Sequence, residues 1–190
     1  MSRDDPAAKP VLKPETLVRM ATYYLARHSA SADRLREVLA RKITRRLQGD
    51  DGGRPDAEEL RAMIDPVVER LTRIGLLDDA AFARGRANSL AAKGRPAWRI
   101  KADLAQAGVD ADEAGLSEVL DSLDPLSQAG IWARRRRLGP FRIRDRAAHR
   151  ERDIASLARA GFPVGVAKQV IDGDGTLTER DDPGIDLDQD

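Results

Sequence analysis

The residues of this chain best suited to chemistry are arginines. From Ile131 to Arg152 there are nine, at 134, 135, 136, 137, 142, 144, 146, 150 and 152, against two acids, Asp145 and Glu151. A guanidinium is a planar fork of donors that fits a carboxylate or a phosphate and keeps its proton, so such a run grips anions and does not move protons. Arg134, Arg135, Arg136 and Arg137 are consecutive, and on a helix each advances about 100°, so they cannot share one solvent face. Either the helix frays there, or one stem lies along the core edge with its head in water. Trp132 and Phe141 flank the run, and such rings either pack or stack on bases. A plain solvated basic face is the competing reading.

Other chemistries find little support. His28 and His149 are the only histidines, and neither stands in a metal-binding spacing such as H-E-x-x-H. They read as surface or cap residues. There is no cysteine, hence no disulfide frame and no thiolate metal site. Gly49 to Gly53 lacks the Lys-Ser/Thr of a phosphate loop. Asp172-Gly173-Asp174-Gly175-Thr176 has some acids of a calcium loop, but the remaining ligands are out of place. Asp78-Asp79 forms a carboxylate pair whose simpler use is helix capping. The expectation is a binding protein, not an enzyme, with no catalytic, metal or cofactor site.

A second basic group lies on a helical hairpin between Gly75 and Val109. Asp78 and Asp79 start its first helix, Ala80 to Ala92 is alanine-rich, and Lys93-Gly94 stops it. Pro96 suits the first position of the second helix, where Ile100, Leu104 and Ala107 share one face and Gly108 ends the run. The outward face keeps Arg84, Arg86, Lys93, Arg95, Arg99 and Lys101.

The remaining elements are read from caps and apolar periodicity. Met1 to Pro14 is polar with three prolines and is expected to be disordered. Glu15 to His28 is a helix on Leu17, Met20 and Tyr24. Ser29 or Ser31 caps the next, with Leu35, Val38, Leu39 and Ile43 inward. Gly49 to Pro55 is a loop. Asp56 and Glu59 form a capping-box start. Pro66 is expected to break that segment, with Asp65 as a new cap before Val67, Leu71 and Ile74. After the hairpin a helix is expected near Asp112 to Leu123, then one from Pro125 to about Leu138 capped by Asp124. A loose basic stretch leads to helices at Asp153 to Ala160 and around Val166 to Ile171.

Composition sets the class. Aromatics are 4% and charged residues 34%, too few large side chains for one thick core, which suits small helical units in a row. No apolar run is long enough to span a membrane, and MSRDDPAAKP has no apolar signal core, so a cytoplasmic protein is expected. The net charge of +1 conceals a division: Asp172 to Asp190 holds eight acids and one base, or −7, leaving +8 on Met1 to Ile171. A basic body with an acidic tail points to an anionic partner for which the tail can compete, or to a merely solubilising tail.

Two anchors recur. Gly94 has a counterpart in Gly139, 45 positions on, and the Ala-Gly-Val at Gly108 one in the Ala-Gly-Phe at Gly161, 53 positions on. This argues for an internal array, with a weaker copy over Glu15 to Leu77. The central stretch also resembles the RecX family, small regulators of the RecA recombinase. The residues that carry the resemblance are Gly75, Leu76, Leu77, Asp78, Asp79, Phe82, Lys93, Gly94, Arg99, Ile100, Leu104, Gly108 and Val109. It covers Leu71 to Ile171 well and Glu15 to Ile74 loosely. The Gly49 to Pro55 loop and the acidic tail depart from the family pattern.

The resemblance implies an all-α protein, an elongated or curved array of three tandem three-helix repeats. The repeats would span 15–77, 78–123 and 124–172, between a disordered segment 1–14 and an acidic disordered tail 173–190. It implies a partner, the RecA filament on single-stranded DNA, whose recombinase, ATPase and coprotease activities in DNA repair, recombination and the SOS response the protein would restrain as a monomer. The candidate contact residues are Arg84, Arg86, Lys93, Arg95, Arg99, Lys101, Arg134, Arg135, Arg136, Arg137, Arg142, Arg144 and Arg146, with direct contact to single- or double-stranded DNA left open. The rival reading is a helix-turn-helix-like DNA-binding module built on Asp79 to Ala107.

Overall fold

A computed structural model describes residues 12–47 and 55–176. Within these residues the secondary structure is helical, with no strand. The helices are α1 Pro14–Leu25, α2 Ala32–Leu47, α3 Ala57–Arg73, α4 Asp79–Ala91, α5 Ala97–Gln106, α6 Ser117–Asp121, α7 Pro125–Arg136, α8 Arg146–Ala160 and α9 Val164–Asp172, with a 3-10 turn at Gly139–Phe141. The expected loop 49–55 lies outside the described residues except Pro55, as do 1–11 of the expected disordered start and 177–190 of the tail.

The chain divides into two compact units, Met1–Phe82 and Ala83–Asp190. In the first, α1, α2 and α3 pack around Leu17, Ala21, Leu35, Leu39, Ile43, Val67, Val68 and Leu71. Leu12 packs against this core and Pro14 opens α1, so helical structure begins before Glu15. Of the two candidate caps for α2 it is Ser31, whose Oγ accepts from the Arg34 N–H at 3.1 Å. Asp56 and Glu59 form the capping box of α3. Asp78 accepts from the Ala81 N–H at 2.9 Å and caps α4, whereas Asp79 reaches the start of α2 and accepts from the Ala32 N–H at 2.8 Å. Both carboxylates of the pair are thus used by helix starts.

Pro66 does not break the chain. It lies inside the continuous 17-residue α3, and Asp65 bonds the Arg36 Nε at 2.9 Å instead of capping. A proline inside a helix costs about 3 kcal/mol. Here Ile64 before it and Val67, Val68 and Leu71 after it lie on one buried face, and burying a large apolar side chain returns about 1.5–3 kcal/mol each.

In the second unit, α4 buries a stripe of small residues, Ala83, Ala87 and Ala91, with Leu90, and α5 buries Ile100 and Leu104. The helix expected from Asp112 to Leu123 is cut to the five residues of α6, because Gly115 takes φ +69 and closes a turn on the Asp112 carbonyl. Asp124 caps α7 as expected, accepting from Leu126 and Ser127. The 3-10 turn, α8 and α9 close on α7 around Ala129, Ala133, Leu157, Phe162, Ala167 and Ile171. α8 starts at Arg146, seven residues before the expected Asp153. Its first turns carry no apolar stripe and are fastened to α9 by polar bonds instead. Gly173 and Gly175 correct the expectation that stable contacts end at Gly173. Arg146 Nη2 donates to the Gly173 carbonyl, and a Cβ on Gly175 would touch Phe141 Cε1 at 3.3 Å.

Candidate interaction surface

All thirteen candidate cations belong to the second unit, and local chemistry decides what each is free to do. The Lys93-Gly94-Arg95 turn sits directly on α7. Gly94 has φ +71, and a Cβ there would stand 2.5 Å from the Trp132 nitrogen and 2.6 Å from the Gln128 carbonyl oxygen, both backbone atoms. Only glycine allows both the left-handed conformation and that approach. Gln128, 2% exposed, turns its amide nitrogen to the carbonyls of Ala91 at 3.0 Å and Arg95 at 3.2 Å, the orientation its two acceptors require.

This seat brings Arg95 of the hairpin to the arginine run. The Trp132 ring, in a residue 9% exposed, carries the Arg95 guanidinium at 4.7 Å from its centroid and that of Arg136 at 4.4 Å. Each such contact is worth about 0.5–2 kcal/mol. Of the two roles open to Trp132 the structure gives packing, since its ring is covered by two guanidinium groups.

α7 ends at Arg136, Arg137 takes the left-handed conformation at φ +54 as its C-cap, and Arg136 lies on Trp132. All four side chains are exposed. Cations in a helix's last turn also favour its negative end.

Several candidates are committed internally. Arg142 makes two bonds to Asp153, Nε to Oδ2 at 2.6 Å and Nη2 to Oδ1 at 2.8 Å, and the Gly139 N–H donates to the same carboxylate at 2.9 Å. Asp153 is 1% exposed. Burial alone raises the pKa of its carboxyl, but the Arg142 and Gly139 bonds and the Arg142 charge outweigh this and hold it below the usual range. Arg146 Nη2 donates to the Ile171 carbonyl at 2.8 Å as well as to that of Gly173. Arg150, beside it, grips Asp172 with two bonds at 2.6 Å. Arg86 pairs with Asp103 at 2.6 Å and Lys101 with Asp121 at 2.8 Å, in water-exposed pairs of small energetic weight. Arg99 lies 5.3 Å from the centroid of Trp98, whose Nε1 donates to the Gly161 carbonyl at 3.0 Å. Lys93 and Arg144 are exposed and Arg84 is half-buried, with no ion pair among the described residues. An open cleft of about 280 Å³ lies beside this surface, lined by Leu90, Arg95, Arg99, Ala102, Asp103 and Gln106.

Three roles are not legible in the sequence: those of Asp153, expected only as a helix start, Trp98 and Ile143. Asp153 stands among charges in Arg-Glu-Arg-Asp, Trp98 is a lone aromatic in a basic helix, and Ile143 is a lone aliphatic between arginines. None carries a periodic signal. The described residues contain no cluster of acids or histidines able to hold a metal, and no helix among them is long and apolar enough to cross a membrane.

Comparison with known proteins follows the same stretch. A family model described as RecX, second three-helix domain, matches residues 78–115. A protein of Myxococcus xanthus named Regulatory protein RecX is 41% identical over 166 residues, 85% of this chain and 87% of that one. A protein of the same name from Thermobifida fusca is 29% identical over 83% of this chain and 80% of its own. One from Mycobacterium ulcerans is 34% identical over 72% of this chain and 79% of its own. No solved structure matches the chain.

Proposed function

This chain belongs to the RecX family of regulatory proteins, and from that premise we propose that it binds the RecA filament on single-stranded DNA and restrains its recombinase, ATPase and coprotease activities. It acts in the cytoplasm, as a monomer, without cofactor or catalytic step. The observation that carries this reading is the convergence of Arg95 and Arg136 on Trp132. It joins Arg95 of the hairpin to the arginine run, and a continuous basic face is what an anionic track requires. Within that surface Arg134, Arg135, Arg137, Arg144 and Lys93 make the contacts. Arg142 holds the loop in place through Asp153, and Arg146 holds the end of α9.

The alternative of a helix-turn-helix-like DNA-binding module asks α5 to present base-reading side chains. On that helix Lys101 is held by Asp121, Asp103 by Arg86, and Arg99 lies over Trp98.

The test is RecA ATPase on single-stranded DNA with the wild type and with the Arg134→Ala/Arg135→Ala variant. Arg136 is left intact because its removal would strip Trp132. Exposed substitutions of this kind change stability by about 0.5 kcal/mol or less, so the variant should melt normally. Strong inhibition by the wild type and clearly weaker inhibition by the variant are expected. No effect of the wild type would remove the RecA reading. Full inhibition by a normally melting variant would move the contact to Arg84, Arg95 and Arg99.

A further inference from the structure

The loop between the 3-10 turn and α8 holds an aliphatic side chain out in water. Ile143 is 83% exposed, more than any other exposed large apolar residue of the described chain. The loop around it is fixed at both ends. Arg142 is clamped to the buried Asp153 by two bonds, and Arg146 is bonded to the Ile171 carbonyl at 2.8 Å. Between them Asp145 takes a left-handed conformation at φ +55, which an aspartate tolerates better than most residues with a Cβ. A loop fastened at both ends that displays one β-branched residue has less freedom to lose when a partner arrives.

The charges nearest the tip indicate which partner. The two flanking cations, Arg142 and Arg146, point inward to Asp153 and to the end of α9. Arg144 and the exposed Asp145 remain, one of each sign. An aliphatic wedge driven between base steps stands among cations that hold the phosphates. Here the exposed carboxylate of Asp145 occupies that position and would face them. A protein surface with an apolar pocket and a mixed rim suits this tip better.

We infer that Ile143 is the apolar anchor of a protein–protein contact, entering a pocket on a RecA subunit while Arg144 meets a carboxylate at its rim. The inference rests on the reading of RecA as partner. It assigns the protein contact to the 142–145 loop and the polyanion contact to the Arg134–Arg137 run.

The experiment is binding, by fluorescence anisotropy, of wild type, Ile143→Ala and Ile143→Asp to RecA filaments on single-stranded DNA, and separately to naked single-stranded and duplex DNA. Full burial of an isoleucine is worth about 1.5–3 kcal/mol, so Ile143→Ala should weaken filament binding roughly tenfold or more, and Ile143→Asp further. Naked-DNA binding and melting temperature should not move. Equal filament binding by all three proteins overturns the anchor and leaves the RecA reading standing. A parallel loss on naked duplex DNA overturns it in favour of a DNA wedge. A wild type that does not bind the filament overturns both readings.

Discussion

Replacing Gly94 with alanine separates two costs that the structure assigns to that position. The first is conformational: a residue with a Cβ at φ +71 loses about 1–2 kcal/mol. The second is steric. The new Cβ would stand 2.5 and 2.6 Å from backbone atoms of α7, which cannot swing aside as a side chain can. α7 must shift, and forced repacking of this kind costs about 1–3 kcal/mol. Gly115 supplies the control, because it has φ +69 in the same unit but nothing within 4 Å of its Cβ position. Urea unfolding at constant m-value should therefore give about 1–2 kcal/mol for Gly115→Ala and about 2–5 kcal/mol for Gly94→Ala. The near-ultraviolet signal of the tryptophans should change in the Gly94 variant alone, because Trp132 is the residue displaced. Equal losses in the two variants would refute the seating of α7 on this turn.

Asp153→Asn should destabilise the second unit by about 2–4 kcal/mol at pH 7 by leaving the Arg142 guanidinium without its counterion, read by urea unfolding. The folded pKa of Asp153 lies below its unfolded value, so its contribution is present above about pH 4 and is lost as the pH falls through the folded pKa. The gap between wild type and variant should accordingly narrow in acid, and a gap independent of pH would show that the ion pair is not its source. Arg137→Gly should stabilise the protein by about 0.5–1 kcal/mol in thermal melts, since glycine removes the strain of φ +54 at this C-cap. A lower melting point would mean that the arginine stem contributes packing that outweighs the strain.

Much of the helix pattern could be read from local chemistry. Asp56, Asp78 and Asp124 cap the helices they precede, and Gly75, Gly94, Gly108 and Gly161 all take positive φ after the helices they end. Two of the failures share one cause, which is tertiary packing overriding a local signal. Pro66 marks a break that the common buried face of Ile64 and Val67 overrides. The first turns of α8 show no apolar period because Arg146 and Arg150, not a hydrophobic stripe, fasten them to α9. The third is local: Gly115 takes a left-handed turn that shortens α6, and its type alone does not distinguish it from the chain's other glycines. In the candidate surface, the arginines are visible in the sequence but their partners are not. Asp153 lies 11 residues beyond Arg142, and Asp103 lies 17 beyond Arg86, in each case on a different element, so no single helix's periodicity links them. The meeting of Arg95 and Arg136 on one ring depends on the seat at Gly94, which only the folded backbone reveals.

The internal pairing of arginines also limits how many ions this surface can give up. When a cation neutralises a phosphate, the strand sheds a condensed counterion, and the logarithm of the binding constant falls against the logarithm of salt by about 0.7 per contact on a single strand. Arg142 holds the buried Asp153, and Arg146 is committed to the carbonyls at the end of α9. Eleven of the thirteen candidate cations remain able to contribute, which caps the slope at about 8 where a count from sequence allows about 9. The fold thus sets aside part of its own charge, trading sensitivity to ionic strength for a fixed shape at the loop that carries Ile143.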